Sequence, residues 1–200
     1  TYTQQVISSE VMPAAVGEIA TSCESHVSPP PATRLLKDPE KLIGAFRTEQ
    51  PHVIGFSNYV WNAQLSYEFA KVIKAKFPRT TVVMGGPNFP LSKEHQESFL
   101  RARPAIDFFI EKEGELPFCN LIRRLMELEF DIERVKKEKL GGVRAIAAGG
   151  MFCAGSVMER INDLSEIPSP YLSGKLDEFF DGKLMPIIQT TRGCPFTCTY

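Results

Sequence analysis

The chain has little excess of charge of either sign. Its 23 lysines and arginines against 24 aspartates and glutamates give a net charge of −1 over 200 residues. Without a basic surplus it cannot neutralise a phosphate backbone, so nucleic acid is not an expected partner. No apolar run is long enough to cross a bilayer, and residues 1–20 lack the charged start and apolar stretch of a signal peptide. These absences predict a cytoplasmic protein with no membrane partner.

Cysteine pairs and nucleotide-binding motifs are also scarce. An odd number of cysteines without a secretory context argues against a disulfide framework, and reduced thiols are expected at the five positions Cys23, Cys119, Cys153, Cys194 and Cys198. No GxGxxG follows a predicted strand, and no GxxxxGK followed by Ser or Thr occurs. Dinucleotides and nucleoside triphosphates therefore have no recognisable binding motif here.

Apolar runs and helical periodicity alternate along the first two thirds of the chain. Three runs without in–out alternation predict strands that are buried on both faces, at residues 52–56, 81–84 and 106–110. Apolar spacing predicts helices over residues 12–25, 38–48, 62–77, 92–103 and 115–129. This order predicts an α/β fold with an open parallel sheet flanked by helices. Only residues 6–8 offer a further strand before the first run.

Three segments with different patterns follow one another along the chain. Residues 1–130 carry the α/β pattern, and residues 131–184 read as a linker with a small hairpin around Gly149 and Gly150 and a proline-rich stretch at 167–171. Residues 185–200 begin a new strand at 185–190, which suggests that the chain is a piece of a longer protein. We therefore expect one complete domain and the start of another.

Each predicted strand ends in an unusual polar or glycine-containing turn. Parallel strands place these turns on one edge of the sheet, which is where open α/β folds bind ligands. Glycine would allow close approach of a ligand, and the neutral polar groups could bond to it. The candidate binding residues are Ser57, Asn58, Tyr59, Gly85, Gly86, Pro87, Asn88, Glu113 and Gly114.

Cys194 and Cys198 form a CxxxC pair directly after the last predicted strand. Two thiolates can ligate an iron–sulfur cluster or zinc, although an isolated pair at this spacing is as often two free thiols. The surrounding segment TRGCPFTCTY, residues 191–200, resembles the opening of radical SAM enzymes. The resemblance implies a 4Fe–4S cluster held by both cysteines and by the residue after Tyr200. It also implies S-adenosylmethionine on the open iron, with Tyr200 beside its adenine.

The preceding residues resemble the cobalamin-binding domain of one large radical SAM subclass. Four blocks carry the likeness: PHVIGFSNYVWN at 51–62, VVMGGPN at 82–88, IDFFIEKEGE at 106–115 and IPSPYLSG at 167–174. The resemblance implies a Rossmann-like or flavodoxin-like domain that binds cobalamin through the strand-end loops. It further implies a methyltransferase that acts on an unactivated carbon of a small molecule or peptide and takes electrons from a donor. This segment alone would be inactive.

Several alternatives remain open from the sequence. His52 lies in an HxxG stretch, but Gln50 stands where a cobalt-ligating DxHxxG motif has Asp, so His52 is interpreted as a packed strand residue. A methylthiotransferase would need three further cysteine ligands, whereas Cys23 and Cys119 read as core residues. A cobalamin sensor without a cluster and an enzyme forming a ring share the motifs present. Tyr59 and Trp61 could line the corrin site or only cover the core.

Overall fold

The computed structural model describes residues 10–192 and contains six α-helices, three short 3-10 helices and five strands in that range. The helices are α1 Ala14–His26, α2 Pro39–Thr48, α3 Ala63–Lys76, α4 Lys93–Arg101, α5 Glu115–Glu127 and α6 Ile132–Lys137. The strands are β1 Val53–Ser57, β2 Thr81–Gly85, β3 Phe108–Ile110, β4 Val143–Ala147 and β5 Met151–Ala154. The three strands predicted at residues 52–56, 81–84 and 106–110 and the five predicted helices are thus confirmed to within a few residues. None of the helices in this range is long and apolar enough to span a membrane.

The five strands form one sheet in the order β1-β2-β3-β4-β5. The first three are parallel, as expected, with Ile54 opposite Val82 and Val83 opposite Phe108. β4 and β5 are antiparallel to their neighbours, so the sheet as a whole is mixed. The direction changes because the chain returns to the carboxyl end of β3 before β4 begins, where the Glu111 amide donates to the Gly142 carbonyl at 3.0 Å.

The hairpin around Gly149 is part of this sheet. The sequence predicts a hairpin within the linker, and the structure confirms the hairpin but joins it to the domain through pairing of β4 with β3. The sheet therefore continues beyond residue 130, where the sequence pattern suggests that the first domain ends. A local pattern cannot reveal this, because the partner strand lies more than thirty residues away in the chain.

Helices cover both faces of the sheet, as predicted. In β2, Val83 points to one face and its neighbours Val82 and Met84 point to the other. One core contains Val83 with residues of α1, α5 and α6, and the second contains Val82 and Met84 with residues of α3 and α4. Such double coverage explains why β2 is apolar throughout, and it leaves the ends of the strands as the accessible part of the sheet.

The segment after the hairpin packs on the outer side of α1. Leu176 and Phe179 join Met12, Ala20 and Leu35 in a third apolar cluster. The strand predicted at residues 185–190 is present only as a one-residue parallel bridge between Val11 and Met185. The strand considered at residues 6–8 lies outside the described residues.

Candidate functional site

The loops after β1 and β2 are joined by three hydrogen bonds at the carboxyl edge of the sheet. The Asn58 amide donates to the Gly85 carbonyl at 2.7 Å, and the Asn88 amide donates to the Asn58 carbonyl at 3.1 Å. The Asn58 side chain, in a residue only 1% exposed, donates through Nδ2 to the Asn88 carbonyl at 2.6 Å. Asn58 therefore acts as a brace between the loops, and little of it is accessible to a ligand.

Gly85 and Gly86 allow these two loops to approach each other. Gly86 has φ +132°, and a Cβ added there would lie 2.7 Å from the Asn58 carbonyl oxygen. A Cβ on Gly85 would lie 3.4 Å from the Ile110 carbonyl oxygen of β3. From the sequence, both glycines are predicted to open the backbone to a ligand. In the structure their lack of a side chain serves contact between loops, and a direct ligand contact stays a prediction.

The loop after β1 presents polar groups beside an exposed apolar surface. The Ser57 hydroxyl accepts from Asn62 Nδ2 at 3.0 Å, and Asn62 Oδ1 accepts from the Tyr59 amide at 2.8 Å. The rings of Tyr59 and Trp61 are stacked with their centroids 4.7 Å apart. Val60 is 81% exposed and Trp61 is 54% exposed. We call Val60, Trp61 and Leu65 the apolar rim, because all three are exposed next to the strand ends.

The loop after β3 is anchored by a buried ion pair. Glu111, which directly follows the strand, accepts from Arg144 Nη2 at 2.5 Å and from Gln96 Nε2 at 3.0 Å. Glu113 Oε2 accepts from the Ile161 amide at 2.8 Å, so this carboxylate ties the loop to the later part of the chain. Burial lowers the pKa of Arg144, with Glu111 acting in the opposite direction. These contacts hold the position of the loop relative to the sheet.

Arg192 lies at the same end of β3, among three carboxylates. Its guanidinium contacts both oxygens of Glu115, at 2.5 and 3.0 Å, and Glu18 Oε2 at 3.2 Å. It also lies 3.6 Å from Glu113 Oε2. None of the sequence patterns predicts that Glu18, Glu115 and Arg192 come together. No local signal could have found the group, because its members are far apart in the chain.

His52 lies at the amino edge of the sheet, and Cys23 and Cys119 lie in the core. His52 precedes β1 at the amino edge and stacks on Phe130 with ring centroids 4.5 Å apart. It is packed, as interpreted, but exposed rather than buried, because it lies just before the strand. Cys23 and Cys119 are buried with their sulfurs 3.3 Å apart, which confirms them as core residues.

A metal site is not evident within the described part of the chain. In residues 10–192, no three histidine, cysteine, aspartate or glutamate side chains are placed to hold a metal ion. Cys153, the third cysteine of this range, is buried in β5, and its thiol contacts the Met151 carbonyl at 3.7 Å. Cys23, Cys119 and Cys153 are thus not grouped as ligands of one metal ion within residues 10–192. The predicted ligands Cys194 and Cys198, with Tyr200, lie outside the described residues.

The chain is similar to two bacterial methyltransferases. It is 29% identical over 157 residues to the cobalamin-dependent radical SAM methyltransferase TokK of Streptomyces tokunonensis, covering 76% of this chain and 22% of TokK. It is 31% identical over 156 residues to 2-(S-pantetheinyl)-carbapenam-3-carboxylate methyltransferase of Streptantibioticus cattleyicolor, covering 75% of this chain and 22% of that protein. The chain thus spans less than a quarter of either relative.

A structural superposition and a match to a protein family agree with these sequence similarities. The structure superposes with a TM-score of 0.66 on the cobalamin-dependent S-adenosylmethionine radical enzyme OxsB with aqua-cobalamin and S-adenosylmethionine bound. The two are 19% identical, over 90% of this chain and 24% of OxsB, so the likeness shows a shared fold. The family described as B12 binding domain matches residues 15–122, more than half of the sequence. The chain therefore belongs to the B12-binding domain family.

Proposed function

We propose that the carboxyl edge of β1, β2 and β3 binds the corrin ring of cobalamin, and that the whole protein is a radical SAM methyltransferase. The observation that carries the proposal is the apolar rim beside two loops that are already fixed by hydrogen bonds. Exposed apolar side chains in a group commonly mark binding surfaces. Here they lie at the edge where α/β domains bind ligands.

The residues at this edge fit the chemistry of a corrin. The ring is broad and largely apolar, and neutral amides surround it, so a suitable site combines apolar contacts with a few neutral hydrogen-bonding groups. The apolar rim offers the apolar contacts. The Ser57 hydroxyl offers a neutral hydrogen-bonding group, because it accepts from Asn62 and keeps its own proton to donate. The Asn88 side-chain amide makes no hydrogen bond within residues 10–192 and is a further candidate.

The chain's own part in the reaction would be to hold and orient. Bound cobalamin would supply methyl transfer through its cobalt, and a 4Fe–4S cluster with S-adenosylmethionine would supply radical chemistry. Tyr59, Pro87 and Gly114 would complete the contacts around the ring, while Asn58 and the two glycines keep the loops in place. Glu111, through its contacts with Arg144 and Gln96, would fix the third loop.

The activity of the whole protein is inferred from its relatives. Both methyltransferases described above are similar to this chain over about three quarters of its length, and the sequence contains a CxxxC pair at Cys194 and Cys198. We propose that Cys194 and Cys198 ligate the cluster, that Tyr200 lies beside S-adenosylmethionine, and that the substrate is a small molecule or peptide methylated at an unactivated carbon. An external donor would reduce the cluster.

Binding of cobalamin can be tested directly. The protein is incubated with hydroxocobalamin and passed through gel filtration, and the corrin absorption that remains is measured. Retention of about one corrin per chain is expected, and a colourless protein would overturn the proposal. Trp61 is the only tryptophan in the sequence, so saturable quenching of its fluorescence would report binding at the rim.

Two matched variants on α3 show where the ligand binds. Leu65 and Val72 are each 51% exposed, but Leu65 lies in the first turn at the apolar rim and Val72 lies near the other end of the helix. Leu65→Glu should weaken cobalamin binding by about tenfold, since losing the burial of one leucine costs about 1.5 kcal/mol or more. Val72→Glu should bind as the unaltered protein does. Equal affinities for the two variants would place the corrin elsewhere.

A further inference from the structure

The Arg192 side chain is largely buried, although Arg192 is the last described residue. Its side chain is only 9% exposed, and that of its main partner Glu115 is 7% exposed. The two contacts between the guanidinium and the Glu115 carboxylate form the planar, two-bond pairing that lysine cannot reproduce. Within residues 10–192, the Glu115 side-chain oxygens accept hydrogen bonds from Arg192 alone. Removing the guanidinium would leave a buried carboxylate without its cation, which is costly.

The carboxylates around Arg192 come from parts of the domain that pack against each other. Glu115 is the first residue of α5, and Glu113 precedes it in the loop after β3. Glu18 lies on α1, which packs against α5. The hydrogen bond between Arg192 and Glu115 raises the pKa of Arg192, so its charge is retained. Arg192 is therefore fixed to the same end of β3 that forms one side of the proposed cobalamin site.

The segment that leads to Arg192 has few other attachments. Tyr171 Oη accepts from the Ile187 amide at 2.9 Å and donates to the Ile187 carbonyl at 2.7 Å. From residue 188 to residue 192, each hydrogen bond within the described range involves the Arg192 side chain, including that from Nε to Gln189 Oε1 at 3.3 Å. Beyond Ile187, the Arg192 side chain thus supplies the hydrogen bonds that tie this segment to the domain within residues 10–192.

Cys194 follows Arg192 by two positions, and two residues of chain reach at most about 7 Å. We propose that Arg192 and Glu115 are positioning residues that hold the start of the cluster loop at the cobalamin-binding edge. The pair would fix the separation between the cluster and the corrin, which must act on one substrate. This inference rests on the proposed function, because it requires both cofactors. It adds a role for two residues that the sequence motifs leave unexplained.

The test uses the full-length protein with cobalamin bound and the cluster reconstituted. With cobalt as Co(II) and the cluster reduced, both centres are paramagnetic, and pulsed electron paramagnetic resonance gives the distribution of distances between them. Arg192→Met should make this distribution longer and broader while corrin absorption is retained. Arg192→Lys keeps the charge but not the paired contacts and should have an intermediate effect. Glu115→Gln should shift the distribution in the same direction.

Glu97→Gln is the matched control. Glu97 also pairs with an arginine, Arg101, at 2.6 Å, but on the exposed surface of α4. This variant should have the distance distribution of the unaltered protein. Loss of the cluster from Arg192→Met with cobalamin retained would also support a positioning role, because only the cluster loop would have been released.

Two results would overturn the inference but would not contradict the proposed function. One is an unchanged distance distribution in Arg192→Met and Glu115→Gln. The other is loss of both cofactors together with a lower unfolding temperature, since Arg192 would then serve the stability of the domain as a whole. Failure of the unaltered protein to bind cobalamin would instead reject the proposed function, and the inference with it.

Discussion

Gly86 shows how a single residue constrains the carboxyl edge. Its φ of +132° is unfavourable for any residue with a side chain, and an added Cβ would meet the Asn58 backbone at 2.7 Å. We expect Gly86→Ala to lower the free energy of unfolding by about 1–3 kcal/mol, the range for a strained backbone position. Denaturant-induced unfolding measures this change.

Gly44 provides the control for that substitution. It lies within α2, and an added Cβ would meet nothing within 4 Å. Gly44→Ala should therefore raise stability by about 0.5–1 kcal/mol through better helix propensity. If Gly86→Ala were as stable as Gly44→Ala, the close contact between the two loops would not exist in solution.

The contributions of Glu18 and Glu133 to the stability of the fold should depend on pH in opposite ways. Burial raises the pKa of Glu18 above 4.5, with Arg192 opposing this and Glu115 adding to it. The folded state thus favours protonated Glu18, and this contribution to stability is lost as the pH rises from 4.5 through the raised pKa. Glu18→Gln should therefore have a higher unfolding temperature than the unaltered protein at pH 7, and the difference should shrink on acidification below pH 4.5.

For Glu133, partial burial acts to raise the pKa, but hydrogen bonds from Lys136 and from the Ala148 amide leave the pKa lowered. The ionised form then stabilises the fold above pH 4.5, and this stability is lost as the pH falls through the lowered pKa. Glu133→Gln should unfold at a lower temperature than the unaltered protein at pH 7. Thermal unfolding of both variants at pH 7 and pH 4 tests the two signs, and shifts of the same sign at pH 7 would contradict the assignment.

At the scale of elements, the stability of β4 in the sheet depends on one buried charge. Arg144 is 1% exposed and donates to Glu111, to Gln96 and to two backbone carbonyls. Arg144→Met would leave Glu111 buried without its cation, and we expect a loss of about 3–5 kcal/mol in unfolding free energy. Arg101→Met, which removes an exposed pair with Glu97, should cost less than about 1 kcal/mol.

A second substitution separates the charge from the packing of β4. If Glu111→Gln is combined with Arg144→Met, no unpaired charge remains, and much of the stability should return. A double variant as unstable as Arg144→Met would show that the loss comes instead from the packing of Arg144 and its hydrogen bonds to Gln96 and the backbone. Chemical denaturation of the single and double variants gives the comparison.

The same elements show what sequence can and cannot predict here. The continuous apolar run of β2 predicts this strand, because burial on both faces of the sheet requires apolar residues throughout. The apolar spacing in α3 predicts this helix, because burial of one helical face leaves a periodic pattern. β4 was predicted only as part of a hairpin, since its pairing with β3 and the burial of Arg144 depend on distant residues. The Glu115–Arg192 pair was not predicted either, because its two residues are far apart in the chain. Charged residues also usually lie at the surface, so their types do not indicate a buried pair.

At the scale of the whole molecule, α1 fastens the later part of the chain to the domain. Thr21 Oγ1 donates to the Pro168 carbonyl at 2.9 Å, and a Cβ on Gly17 would lie 2.9 Å from the Pro170 Cβ. Gly17→Leu should therefore separate residues 168–179 from α1. Hydrogen exchange is expected to become faster at Leu176 and Phe179 and to stay unchanged in β2.

The control for this change is Gly44→Leu, where the helix surface is open and no packing partner would be displaced. Its exchange pattern should match that of the unaltered protein. Faster exchange in β2 of Gly17→Leu would mean that the sheet and the later segment unfold as one unit. Unchanged exchange everywhere would mean that α1 does not hold residues 168–179.

The hydrogen bonds that Asn58 makes to Gly85 and Asn88 have a thermodynamic consequence for the proposed ligand binding. Loops that are fixed in advance lose little conformational entropy on association, so complex formation should show single-step kinetics without a slow rearrangement. Its heat-capacity change should reflect only the apolar surface that the rim and the ligand cover.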